Sequence, residues 1–220
     1  MQPTFDKIHL KFRLNGYGYD QDEIKEAAYS FIKEGDLYER RIGDFLLDWF
    51  DNNEYLLLRT SGSTGPQKTV KIKKQMMVTS AIATGDYFGL SPGDSALMCL
   101  PANYIAGKMM LVRAMILGLD LELIEPEALL IFDYEKHYDF CAMVPLQLRK
   151  SIDRIQNIKT IIVGGAAVPA DLKEQAQSLK TEIYETYGMT ETVSHIAVKP
   201  INAENSSEYF EVLPGVTVYT

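Results

Sequence analysis

Apolar and polar positions along this chain follow two periods, and the change from one to the other marks its elements. Ile24, Ala27, Ala28, Phe31 and Ile32 recur at helical spacing behind Asp20 and Glu23, and Ile42, Phe45, Leu46, Trp49 and Phe50 do the same behind Asp36 and Glu39. An acidic N-cap with Glu three residues on is the spacing of a capping box. Two amphipathic helices are therefore predicted, the first ended by Gly35 and the second by the DNN at 51–53. The aromatic stripe of the second reads as core packing. EYLLLRT (54–60) then reads as a buried strand, a glycine-rich loop follows, and Val70 and Ile72 alternate with lysines in KTVKIKK (68–74), giving strand, loop, strand.

From residue 75 onward helices and short apolar strands take turns: a helix at 75–87, strands at 96–100 and 121–124 around a helix at 105–117, and a strand at 140–144 before a helix after Pro145. A strand at 160–163, a helix opened by Pro169 and Asp171 and a strand at 182–184 complete the series. Continuously apolar strands separated by helices predict an α/β fold: a mostly parallel sheet covered by helices on both faces.

Composition narrows the function classes. At 46% hydrophobic and 24% charged residues the 220-residue chain has the balance of a globular protein with a real core, which excludes a disordered tail, a collagen-like repeat and a coiled coil. Twenty-two basic against 30 acidic residues leave a formal charge of -8, the wrong sign for a surface that binds nucleic acid or anionic lipid; neither a nucleic-acid nor a membrane partner is expected. The longest near-apolar stretch, 109–119, is interrupted by Arg113 and falls short of the roughly 18–20 residues of a membrane span. No apolar signal segment opens the sequence, and the two cysteines, Cys99 and Cys141, each sit inside an apolar run and read as buried strand residues, so a reducing cytoplasm is the expected location.

In parallel sheets ligands sit beyond the carboxyl ends of the strands, so the loops that follow strands are the ones to read for chemistry. TSGSTGPQK (60–68) packs hydroxyls, glycines and Lys68 into nine residues. Glycines let backbone N–H groups approach phosphate oxygens, hydroxyls add donors and a lysine adds charge, so the segment reads as a polyphosphate cradle; the same composition also suits a surface turn. It is not a Walker A loop, because no GK[ST] opens a helix there. YETYGMTET (184–192) offers an aromatic face, a glycine, hydroxyls and a carboxylate, the set that stacks on a base, binds a phosphate oxygen and holds a hard cation. A half-buried tyrosine and a solvated glutamate are the plainer reading of the same letters. His9, His137 and His195 show no metal-ligand spacing, and GSTG is not a nucleophile elbow.

Together these segments resemble the adenylate-forming enzymes, the superfamily of acyl-CoA synthetases, peptide-synthetase adenylation domains and firefly luciferase. TSGSTGPQK is similar to its phosphate-binding loop, GGAAVP (164–169) to its adenine-side loop and YGMTE (187–191) to its adenylate signature, in family order over most of the chain from about residue 54. Within it, LPANYIAGKMMLVRA (100–114), AMVPLQL (142–148) and the short N-terminal region most resemble the o-succinylbenzoate-CoA ligases of menaquinone biosynthesis.

The resemblance implies an AMP-forming acid-CoA ligase: a carboxylic acid attacks the α-phosphate of ATP, and coenzyme A then displaces AMP from the acyl-adenylate. It implies that Thr60, Ser61, Gly62, Ser63, Thr64, Gly65 and Lys68 grip the outer phosphates, that Thr190 binds the α-phosphate and that Glu191 holds Mg2+. Tyr187 and Gly188 would meet the adenine, with Gly164, Gly165 and Ala166 along its other side. Tyr104 stands where the family often has histidine. Lys108 and Arg113 follow on the predicted helix, close enough to supply a cation to a dicarboxylate substrate; Lys108 is expected to pair with a substrate carboxylate or to lie along the surface, and His195 to line the acyl pocket or to be a hydrogen-bonded structural residue. The resemblance also leads us to expect that residues 1–220 form part of the large domain, with a small extra β segment begun by EVLPGVTVYT (211–220) at the C-terminal end and without the mobile C-terminal lid and its lysine. Turnover by this chain is then expected to be crippled, the alternatives being a nucleotide- or acyl-adenylate-binding module without turnover and a ligase for another acid. An unpaired sheet edge is expected to favour a homodimer.

Overall fold

A computed structural model describes residues 3–59, 68–202 and 206–219. The two N-terminal amphipathic segments are helices α1 (Gln21–Glu34) and α2 (Leu37–Trp49). The Asp20 carboxylate accepts the Asp22 and Glu23 N–H groups at 2.9 Å, while Glu23 returns to the Asp20 N–H at 2.8 Å. Glu39 takes the Asp36 N–H in the same way. Each carboxylate satisfies amide groups that the first turn leaves without partners, which fixes where the helix begins. The two helices pack against each other, and Ile24, Ala28, Ile42, Phe45, Leu46 and Trp49 are buried between them and the rest of the molecule.

Strands β3 (Tyr55–Arg59) and β4 (Thr69–Lys73) form a separate antiparallel hairpin, with Leu56 opposite Ile72 and Leu58 opposite Val70. Residues 60–67, the body of the phosphate cradle expected from sequence, fall outside the described residues.

The remaining described strands make one nine-stranded sheet. A central parallel set runs β6 (Asp120–Leu123), β5 (Ser95–Met98), β7 (Tyr138–Met143), β8 (Ile158–Val163) and β9 (Glu182–Gly188) in space. Beside β6 lie β1 (Arg13–Leu14) and β2 (Tyr17–Gly18); beside β9, antiparallel, lie β10 (His195–Pro200) and β11 (Glu211–Val212). The extra C-terminal β segment is thus an edge of the main sheet. Alternation along the strands divides the core in two. Ala96, Met98, Leu121, Phe140, Ala142 and Ile162 face α1, α2, α3 (Lys74–Phe88) and α4 (Ile105–Leu117). Leu97, Cys141, Met143, Ile161, Val163 and Ile183 face α5 (Pro145–Ser151) and α6 (Ala170–Ala176).

Helix α4 is buried on every side from Met109 to Ile116, which explains its apolar residues there and makes Arg113 among them an anomaly. Cys99 and Cys141 are buried free thiols, as their apolar settings predict. No described helix is long and apolar enough to cross a membrane.

Candidate functional site

Strand β5 connects to β6 on one side, while β7 connects through α5 to β8 on the other, so the sheet reverses its winding between β5 and β7. Such a reversal leaves a crevice at the carboxyl ends of the strands. Gln147 spans this one: its side-chain amide donates to the Cys99 carbonyl at 2.7 Å and the Glu127 carbonyl at 3.1 Å, and its oxygen accepts the Val144 N–H. The loops after β8 and β9 open on the same edge.

The loop after β9 is closed by its own bonds. Gly188 pairs with His195, and between them Thr190–Thr192 make one 3-10 turn. The Thr192 hydroxyl accepts the Met189 N–H at 2.9 Å and donates to the Ser194 carbonyl at 2.8 Å. Only glycine fits at 188, because a Cβ there would run into the Ser194 carbonyl and the His195 backbone. Val193 follows the turn at φ 72, a conformation that β-branched residues avoid, with its side chain buried in the core. That strained residue turns the chain inward and delivers Ser194 and His195 to α4. Left outside are the Thr190 hydroxyl and the exposed Glu191 carboxylate, neither of which bonds to another described residue. β4 packs against this turn, which brings the hairpin, with Lys68 immediately before β4, beside the signature loop.

On the α4 side lies a buried cation without a described counter-charge. Arg113 is 2% exposed and forms no ion pair with a described carboxylate. Its Nη2 donates to Ser194 Oγ at 2.8 Å and to His195 Nδ1 at 3.2 Å, its Nε donates to Thr84 Oγ1 at 3.3 Å, and among the described residues its Nη1 meets only the weakly accepting sulfur of Met110 at 3.8 Å. Burial pulls the guanidinium below its ordinary range, yet it stays charged at neutral pH. Burial, then the charge of Arg113, push His195 well below 6.5, so its imidazole is neutral. With Nδ1 accepting from Arg113, the proton sits on Nε2, which is buried and has no partner among the described residues.

On the α6 side lies a second cluster. Glu185 is 4% exposed; one oxygen takes Lys173 Nζ at 2.8 Å and Lys199 Nζ at 2.9 Å, and the other accepts the Val168 N–H at 2.9 Å. Burial alone would raise this carboxyl, but the bonds from Lys173, Val168 and Lys199 outweigh it and hold the group below the usual glutamate range. The same bonds fasten the 164–168 loop to β9. Gly164 packs against Thr186, whose hydroxyl donates to the Val163 carbonyl at 3.1 Å, and Gly165 and Ala166 are exposed. Tyr187 stands two residues beyond Glu185 on the same face, 54% exposed.

The AMP-binding enzyme family profile matches residues 20–219, nearly the whole of this architecture. The chain belongs to that family. Among curated AMP-binding relatives, the 2-succinylbenzoate-CoA ligase of Lactococcus lactis is 24% identical over 220 residues, covering 90% of this chain and 49% of the relative. The Staphylococcus aureus (strain MSSA476) enzyme of the same name is 31% identical over 145 residues, covering 63% of this chain and 30% of the relative. Among solved structures, the acyl-CoA synthetase (AMP-forming)/AMP-acid ligase II-like protein of Dyadobacter fermentans superposes with a TM-score of 0.77 at 37% identity, covering 87% of this chain and 57% of that one. The o-succinylbenzoate coenzyme A synthetase of Bacillus subtilis, solved in complex with ATP and magnesium ion, gives 0.58 at 25% identity, covering 66% and 32%. The chain therefore spans about half the length of the first curated relative and under a third of the second.

Within this member of the AMP-binding family the structure gathers Thr190, Glu191, Tyr187, Gly188, Gly164, Gly165, Ala166 and His195 along one sheet edge, with Lys68 immediately before β4 on the neighbouring hairpin. Thr60, Ser61, Gly62, Ser63, Thr64 and Gly65 lie outside the described residues. Tyr104 caps the start of α4 with an exposed ring. Lys108 stands apart: its Nζ lies 4.8 Å over the Phe45 ring, toward α2 and the carboxylates of Asp48 and Asp44, on a different face of α4 from Arg113. Sequence reading passed over Ser194, Val193, Glu185 and Phe210. Glu185 had one signal, a carboxylate in step with the apolar Ile183 on the same strand face; the other three had none.

Proposed function

We propose that this chain supplies the nucleotide- and acid-binding part of an AMP-forming acid-CoA ligase whose acid carries a second carboxylate, 2-succinylbenzoate being the acid that the names of its relatives favour. The observation that carries the reading is Arg113, a buried cation with no described anionic partner and an Nη1 that meets only a thioether. A substrate carboxylate would complete it, forming charge-assisted bonds to Nη1. The neutral His195 Nε2–H is a second buried donor, on the ring whose Nδ1 accepts from Arg113. Arg113, not Lys108, is then the acid-binding cation.

The site has an order along β9. The acid would lie on the α4 face, the nucleoside on the α6 face against Tyr187, Gly188, Gly164, Gly165 and Ala166, and the α-phosphate between them at the Thr190 hydroxyl. Lys68 and the 60–65 loop would hold the outer phosphates. Glu191 fits a hard cation because its exposed carboxylate is not engaged by another described residue; one carboxylate together with phosphate oxygens is the donor set that Mg2+ prefers, and the ion would screen the phosphate charge. A carboxylate oxygen of the acid then bonds to the α-phosphorus as the bond to pyrophosphate breaks, and the thiolate of coenzyme A later takes the acyl group and releases AMP. Donors aimed at the α-phosphate contribute about 2.7–4 kcal/mol each to such a step.

Incubation with ATP, magnesium and 2-succinylbenzoate tests the reading. Pyrophosphate and a hydroxylamine-trappable acyl-adenylate are expected, reduced about 10- to 100-fold by Arg113→Met, the loss of one or two charge-assisted bonds. ADP and phosphate as products would refute it.

A further inference from the structure

The register of the C-terminal strands places Lys199 opposite Glu185 and Ala197 opposite Tyr187, and on the next strand Val212 opposite Ala197. Extended by two residues, the same register sets Phe210 beside Lys199. One face of this edge therefore carries two rows, Glu185–Lys199–Phe210 and Tyr187–Ala197–Val212. Contacts cross between the rows. The Phe210 ring lies 5.9 Å from the Tyr187 ring at an interplanar angle of 59°, reaching it over the small side chain of Ala197. Lys199 Nζ sits 4.6 Å over Phe210 while it is bonded to the buried Glu185, so the phenyl ring is held from behind by a cation that is itself fixed. Tyr187 keeps more than half of its surface open, and the same Glu185 fastens the opposite wall, the 164–168 loop, through the Val168 N–H.

We propose that Phe210 is a positioning residue for the nucleoside end of the site, holding the Tyr187 ring in the orientation that leaves one face ready for a base. The inference rests on the reading above that Tyr187 meets the adenine. An exposed tyrosine otherwise samples several rotamers, and fixing it before the ligand arrives removes that cost from binding. The part contacted by Phe210 serves the base alone, so the triphosphate should not sense it.

Isothermal titration of the chain with ATP and, separately, with tripolyphosphate tests this. Phe210→Ala is expected to weaken ATP at least fivefold and to leave tripolyphosphate within twofold of wild type. Phe210→Trp, which keeps a ring in place, is expected to bind ATP within twofold of wild type. Tyr187→Ala should weaken ATP, and the Tyr187→Ala, Phe210→Ala double variant should be no weaker than Tyr187→Ala by more than twofold, because Phe210 acts only through Tyr187. Unchanged ATP affinity in Phe210→Ala alongside a weakened Tyr187→Ala overturns the positioning role and spares the adenine reading. Parallel losses for ATP and tripolyphosphate, or additive losses in the double variant, also overturn it. A Tyr187→Ala protein that binds ATP as wild type does, or a wild type that binds neither probe, overturns the adenine reading and this inference with it.

Discussion

A neutral histidine sealed beside a buried arginine makes the folded chain sensitive to acid in a calculable way. His195 is 8% exposed, and burial with the adjacent Arg113 charge holds its folded-state pKa well below 6.5. The unfolded chain regains the ordinary value and takes up a proton as the pH falls, while the folded chain does not. Stability is therefore present in full above about 6.5 and is lost toward lower pH, by about 1.4 kcal/mol per unit once well below that value. Between pH 7 and pH 5 the loss comes to about 2 kcal/mol as long as the folded imidazole stays neutral. His195→Gln removes the titration and keeps an acceptor for Arg113. Urea unfolding followed by the fluorescence of Trp49, the only tryptophan and itself buried, gives both stabilities at both pH values. Depressed carboxyls such as Glu185 titrate below this window and cancel in the difference between the two proteins. The wild type should lose about 2 kcal/mol more than His195→Gln. Identical losses would show that His195 is protonated in the fold and that the Arg113–His195 arrangement is wrong.

Three further outcomes follow from the same geometry. Gly188→Ala drives a Cβ into the Ser194 and His195 backbone and should cost about 1–3 kcal/mol by urea unfolding, with loss of ATP binding; a fully stable, fully binding variant contradicts the closed loop. Glu185→Ala leaves the Val168 N–H and two lysines without their shared acceptor and should lower stability by about 1.5–3 kcal/mol, read as a lower melting temperature, with Glu185→Gln losing less; equal melting of Glu185→Ala and wild type contradicts it. Arg113→Met replaces a buried charge by an apolar chain and should leave stability unchanged or raise it by about 1–4 kcal/mol while acid-dependent activity falls; a destabilised variant would mean that Arg113 is structural.

The layered fold was legible because period and capping agree locally. The α4 boundaries match the predicted 105–117, and Asp20 and Asp36 begin helices where their partners Glu23 and Glu39 require. Strand ends moved by one or two residues, and β9 runs on to Gly188 because β10 pairs with it, a long-range contact that no local pattern reports. The β1–β2 hairpin went unread although Asn15-Gly16, both at positive φ, is a strong turn signal; strands of two residues carry too little alternation to be noticed. At the site, the chemistry-bearing letters were visible and their partners were not. Arg113 was legible as a cation on a helix, but its burial depends on Ser194 and His195, more than eighty residues away. Lys108, a cation on the same predicted helix, is no different from Arg113 in its letters alone, and the structure turns it toward Phe45. Phe210 gains its place only through the register of three strands.

The central claim, that a nucleotide at the Thr190–Glu191 turn and an acid at Arg113 meet across the end of β9, is tested most directly by ATP–pyrophosphate exchange on this chain. The account predicts exchange that requires 2-succinylbenzoate or a comparable dicarboxylic acid and that collapses in Arg113→Met. Exchange that proceeds equally without any acid, or equally well in Arg113→Met, would contradict it.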